Sequence, residues 1–231
     1  MIIAMFLAHL VGDFVLQWDG LAAWKAREMK GVIVHSLILF LATAALALLF
    51  RPYWWSGVFI ISISHFIVDA LQFLFKPRLS PLLRFILDQT AHFFFIILAL
   101  ALGGYLAWGD LAGGIADSAR AAPVLTAILG YAFLTMPAWV LLKFTVYAMV
   151  NGQPPDFPAG PNKFVGITER LIISTMVAFG LFLLVPLVAL PRLIVEWPQI
   201  IRRGSDGVYV AELIASVGLA VGVGLGISLL A

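Results

Sequence analysis

Seven long, mostly apolar stretches dominate this sequence, at roughly 1–18, 31–50, 54–75, 82–107, 122–150, 163–190 and 207–230. A run of about 20 such residues spans the hydrocarbon core of a bilayer as a helix. Lipid offers an exposed backbone no hydrogen bonds, which leaves helices or a closed barrel. A barrel would show short segments of alternating hydrophobicity, which are not seen here. The composition agrees: 63% of residues are hydrophobic and 11% are charged, too few polar groups to cover a water-soluble surface. The expected fold is an all-α, polytopic transmembrane bundle of about seven helices. Residues 1–231 form a single integral membrane domain. Its first four helices (1–107) carry the site described below, and the last three (122–231) complete the bundle.

Between the stretches lie recognisable breaks. Asp19–Met29 is a short polar segment flanked by Trp18 and containing Trp24, both at interface depth. Gly152–Pro161 is a proline-rich loop that stops a helix. Pro191–Gly204 reads as an interfacial segment with Trp197, Arg202 and Arg203. The first stretch has no basic leader and contains His9 and Asp13, so it reads as mature structure and not as a signal peptide. Cysteine is absent, which removes disulfides and thiolate chemistry. The net charge of +2 carries no nucleic-acid footprint. Loops after the first, third and fifth stretches hold or adjoin nine of the 14 lysines and arginines. The positive-inside rule then places that face in the cytoplasm.

All four histidines fall inside apolar stretches, and three have an aspartate one helical turn away: His9 and Asp13, His65 and Asp69, Asp88 and His92. The i, i+4 spacing puts each pair on one helix face. His35 adds a fourth imidazole from the second stretch. Counted from the basic face, Asp13, His35, Asp69 and Asp88 lie roughly 6–9 Å deep, and His9, His65 and His92 roughly 12–15 Å, at 1.5 Å per residue. Seven ionisable side chains on four helices thus share two adjacent layers of one leaflet. Charge in hydrocarbon costs at least a few kcal/mol at the centre, so such groups turn inward and find partners. Two arrangements satisfy them: protonated histidines paired with aspartates, or one or two divalent cations held among them. Mixed imidazole and carboxylate ligation suits zinc first, with manganese or iron as alternatives. Gln17 and Gln89 are candidates to orient the ligands from behind.

Lys143, Tyr147, Glu169 and Arg170 lie at matching depth in the fifth and sixth stretches. Glu169 is a candidate general base for a metal-activated water, and Lys143, Arg170 and Tyr147 for an anionic headgroup. The alternative for this set is an interhelical salt bridge such as Lys143–Glu169, with the arginine snorkelling to the interface. The reading preferred for the whole is a membrane-embedded, metal-dependent hydrolase acting on a lipid-like or amphiphilic substrate, with its site open to the cytoplasmic side. An ion- or proton-coupled transporter using a His/Asp relay stands as the first alternative, and a structural His–Asp network as the second.

At these residues the chain resembles the bacterial membrane family known as domain of unknown function 3307. The resemblance rests on His-Leu-Val-Gly-Asp-Phe-Val-Leu-Gln at His9–Gln17, His35, Ser-His-Phe-Ile-Val-Asp at Ser64–Asp69 and Asp-Gln-Thr-Ala-His at Asp88–His92. Val165–Leu171 and Val208–Ser216 are similar to its later elements. The resemblance implies a bacterial cytoplasmic (inner) membrane. It carries no activity over, and a fainter similarity to membrane-bound metal-dependent hydrolases is an analogy only. The chain departs from the family pattern after Gln17. An Asn-Lys step is expected there and Trp24-Lys25 stands instead, which leaves Lys25 without an assigned role.

Overall fold

The computed structural model of the chain describes residues 1–75, 78–150, 162–191, 193–194 and 206–230, and among these every regular element is helical. The chain is a membrane protein of the all-α class. It divides into two compact units, Met1–Ala132 and Phe133–Ala231.

The first unit starts with α1 (Ile2–Leu10), which loosens into a π-turn over Val11–Val15. The chain then bends by 88° into the short α2 (Asp19–Lys25). Three long helices follow: α3 (Met29–Phe50), α4 (Trp55–Phe75) and α5 (Pro81–Leu102). Each of the three is long and apolar enough to cross a membrane. Pro81 begins α5 at a position whose missing N–H costs nothing, and Ser80 caps it by accepting from the Leu83 N–H at 3.3 Å. At the other end Gly104 takes the left-handed conformation (φ 74°), and the Tyr105 N–H closes the last turn on the Leu100 carbonyl at 2.9 Å. The amphipathic α6 (Leu111–Ala121) follows, capped by Asp110 on the Gly113 N–H, and then α7 (Pro123–Leu134).

Packing in this unit is inside-out relative to a soluble protein. On α3, Val32, His35, Ser36, Leu39 and Thr43 are buried, while Ile33, Leu37 and Leu41 are exposed. On α4, His65 and Asp69 point in and Phe59, Ile63, Ile67 and Leu71 point out. Outward apolar side chains at four-residue spacing form a lipid-facing stripe. Below the polar cluster, Met5, Ala8, Val58, Ile61, Ile96 and Leu100 close a dry core.

The second unit holds α8 (Met136–Val150), α9 (Asn162–Ala178), α10 (Phe182–Pro191) and α11 (Asp206–Ser228). Residues 207–228 of α11 are the fourth span-length helix. It packs on α9 around Ile173, Val177 and Ala220. The crossing is closest at Gly224, where a Cβ would meet the Ser174 carbonyl oxygen at 2.6 Å.

Three of the seven expected stretches are not continuous helices. The first ends in the π-turn and the 88° bend. The fifth breaks at Thr135, because Pro137 has no N–H to return to the preceding turn. The sixth divides at Gly180, whose φ of 75° terminates α9. Among the described residues four helices are long and apolar enough to span by themselves, or up to six spans if each bent pair counts as one. The expected loop at Gly152–Pro161 lies outside the described residues, and so does most of the interfacial segment Pro191–Gly204, with Trp197, Arg202 and Arg203.

Candidate metal centre

The seven side chains expected to share a site do so, and all belong to the first unit. His9 comes from the last turn of α1 and Asp13 from the π-turn. His35 sits in α3, His65 and Asp69 in α4, and Asp88 and His92 in α5. A π-turn carries one extra residue per turn, a distortion frequent at functional sites. Here it coincides with Gly12, where a Cβ would meet the Leu39 Cα at 3.0 Å. The glycine lets this turn press against α3 and brings Asp13 to His35.

The centre of the cluster is a pair of imidazoles. His35 Nε2 and His65 Nε2 are 3.2 Å apart. Asp13 Oδ1 lies on one side of them, at 3.0 and 3.8 Å respectively. Asp69 Oδ2 lies 3.5 Å from His35 Nε2 and 3.3 Å from His65 Nε2. His92 extends the group: its ring stacks on His65 with centroids 4.0 Å apart, and its Nε2 is 3.1 Å from Asp88 Oδ1 and 3.9 Å from Asp69 Oδ1. Two sets of three donor atoms lie close enough to share an ion, Asp13–His35–His65 and His65–Asp69–His92. The Nδ1 atoms of His35, His65 and His92 are buried without a hydrogen-bond partner, so ring packing sets their orientation and turns Nε2 toward the carboxylates.

Gln89 ties the cluster together. Its amide nitrogen donates to Asp13 Oδ2 at 3.0 Å and to Asp88 Oδ2 at 3.1 Å. Two carboxylate acceptors fix the amide's orientation, so its oxygen faces His9 Nε2, 3.1 Å away. An amide oxygen only accepts, which makes His9 Nε2 the protonated nitrogen of that ring. His9 in this arrangement supports the cluster from behind. Gln89, a candidate to orient the ligands, touches three side chains of the cluster. The Gln17 side-chain oxygen is buried with no hydrogen-bond partner.

Two residues that sequence reasoning did not assign join the site. The Lys25 ammonium lies 2.7 Å from Asp69 Oδ2. Gln72 donates to Asp88 Oδ1. Gln72 had a legible signal, since it falls three residues after Asp69 and seven after His65 on one helix face. Lys25 had none, because only the bend after α1 brings the end of α2 over the cluster. That approach depends on Gly31 in α3, where a Cβ would meet the Trp24 carbonyl carbon and the Lys25 backbone nitrogen, each at 2.5 Å.

The other expected residues lie in the second unit. Lys143 pairs with Glu212 at 2.8 Å, a partner the sequence reading did not name. Arg170 does not snorkel: it is buried, and donates to the Leu134 and Thr135 carbonyls and to Ser216 Oγ. It thereby satisfies carbonyls freed where α7 gives way to α8. Glu169 is on α9, one residue before it. Tyr147 is in α8, with its side chain outside the described residues.

Residues 1–108 match the family described as protein of unknown function, DUF3307. This match supports the resemblance read from the motifs at His9–Gln17, Ser64–Asp69 and Asp88–His92, and it contains every residue of the cluster. No curated protein and no solved structure matches the chain.

Proposed function

We propose that the first unit binds a divalent metal ion, zinc before manganese or iron, and uses it to hydrolyse a lipid-like or amphiphilic substrate within the membrane. One observation carries the reading: the His35–His65 pair with a carboxylate on either side. Metal–ligand bonds of about 2.0–2.2 Å meeting at tetrahedral angles put neighbouring donor atoms about 3.3–3.5 Å apart. The triangle Asp13–His35–His65 has edges of 3.0, 3.2 and 3.8 Å, and the triangle with Asp69 has edges of 3.2, 3.3 and 3.5 Å. The edges of both triangles bracket that spacing, which a purely structural His–Asp network does not require. His65 belongs to both triangles and to both possible ligand sets, and one imidazole nitrogen binds one ion. That sharing favours a single ion at a time.

Three protein ligands and an open fourth position are the pattern of catalytic rather than structural zinc. A dication there would supply an acidified water for attack on a phosphoester, ester or amide. Access is from the side of Lys25 and Asp88, whose side chains are 22% and 18% exposed, against 6% or less for Asp13, His35, His65 and Asp69. The distribution of lysines and arginines supports a cytoplasmic position for that side, and the resemblance to a bacterial family supports an inner-membrane location. The apolar outer faces of α3 to α5 suit an amphiphile that keeps its chains in lipid while its headgroup reaches the cluster.

The test is elemental analysis of the protein purified in detergent, followed by release of fatty acid or phosphate from a panel of lipids. Stoichiometric metal and metal-dependent release are expected. Protein that takes up no divalent metal even on reconstitution would overturn the proposal. Proton or cation flux into liposomes that depends on Asp69 would instead favour the relay reading.

A further inference from the structure

Asp69 Oδ2 is shared between an ammonium and the imidazole pair. This oxygen sits at ligand distance from His35 and His65 Nε2, yet it also lies 2.7 Å from the Lys25 ammonium. Among the described residues, Lys25 is the cationic side chain paired with this cluster. A carboxylate held at 2.7 Å by an ammonium has much of its charge already neutralised. It is a weaker ligand than Asp13, whose carboxylate is met by a glutamine amide and by imidazoles. The two sides of the His35–His65 pair are therefore unequal, and the difference is Lys25.

We infer that Lys25 withholds Asp69 from the ion, so that the metal takes Asp13, His35 and His65 and keeps its fourth position open. This inference rests on the metal reading above and specifies how the site stays open. Without Lys25, two carboxylates and two imidazoles surround one point, a donor set that closes a four-coordinate site. With Lys25 on Asp69, three protein ligands remain and the fourth position is left for water and substrate. Lys25 is a positioning residue that acts through Asp69. Its placement is built into the fold: α2 packs on α3 where Gly31 leaves room for the backbone of Trp24 and Lys25. The ammonium, partly exposed at the mouth, also faces whatever enters.

Cobalt(II) tests this, because its visible absorption changes with the identity and geometry of its ligands. The protein and four variants are titrated with Co²⁺ in detergent. Lys25→Met is expected to tighten Co²⁺ binding by about tenfold or more, as the dication loses a neighbouring positive charge and gains a carboxylate. Its spectrum should shift from that of wild type, as the Asp69 carboxylate takes the fourth position from water. Asp69→Asn is expected to keep the wild-type spectrum. In Lys25→Met/Asp69→Asn the spectral shift should disappear, since Lys25 then has nothing to withhold. Lys25→Arg keeps the charge and should resemble wild type, which separates loss of charge from a folding defect. Unchanged or weaker Co²⁺ binding in Lys25→Met would overturn the inference while leaving the metal reading intact. A spectral shift that persists in the double variant would overturn it too. Failure of wild type and every variant to bind Co²⁺ would overturn the metal reading itself.

Discussion

His35 and His65 reach toward each other from α3 and α4 until their Nε2 atoms are 3.2 Å apart, with Asp13 and Asp69 on their flanks. A neutral pair of the right tautomers hydrogen-bonds there, one Nε2–H donating to the other Nε2. The ion proposed above would instead take both Nε2 lone pairs.

His65 is the donor common to both possible ligand sets. His65→Ala is therefore expected to abolish stoichiometric metal, lowering affinity by at least about 100-fold. His9→Ala should be milder, because His9 Nε2 is already committed to Gln89. Metal content and calorimetric titration of the two purified variants measure the contrast. Equal loss in both would make His9 a ligand.

Gln89 holds Asp13 and Asp88 through its two amide hydrogens. Gln89→Leu removes both bonds and leaves two carboxylates without their donor. Metal affinity should fall by about 10–100-fold, the usual consequence of losing a group that orients a ligand. Dissociation constants for the same ion in both proteins decide it.

Gly31 is where α2 touches α3. A methyl group there would sit 2.5 Å from the α2 backbone, so in Gly31→Ala the end of α2 must move and take Lys25 with it. The variant should show the cobalt spectrum of Lys25→Met, with a stability loss of about 1–3 kcal/mol. A wild-type spectrum would mean that the Lys25 side chain follows Asp69 despite the displacement.

Lys143 and Glu212 pair at 2.8 Å in the second unit, with side chains only 13% and 17% exposed. Removing one partner strands a charge. Lys143→Met or Glu212→Gln alone should cost about 3 kcal/mol, whereas Lys143→Met/Glu212→Leu should recover most of it. Thermal or denaturant unfolding in detergent reports the difference, and metal content should be untouched throughout.

The sequence by itself determined the solvent and the membership of the site. Apolar runs of span length admit only helices in lipid, and i, i+4 pairs of His and Asp in such runs have to turn inward together. The seven residues could be named because both arguments depend on local spacing alone. Motif resemblance reinforced them, and the family match falls on the same residues.

Tertiary structure decided the roles within the group. Spacing could not show that Gln89 claims His9, because the two are 80 residues apart and their meeting depends on how α1 leans on α5. The breaks at the π-turn, Thr135 and Gly180 were invisible to hydropathy, which averages over a window and does not sense a missing N–H or a left-handed glycine. The same limit hid Glu212 as the partner of Lys143, 69 residues away. Lys25 lies in a polar segment that sequence alone places at the interface. Only the 88° bend after α1 and the gap at Gly31 bring its ammonium onto Asp69.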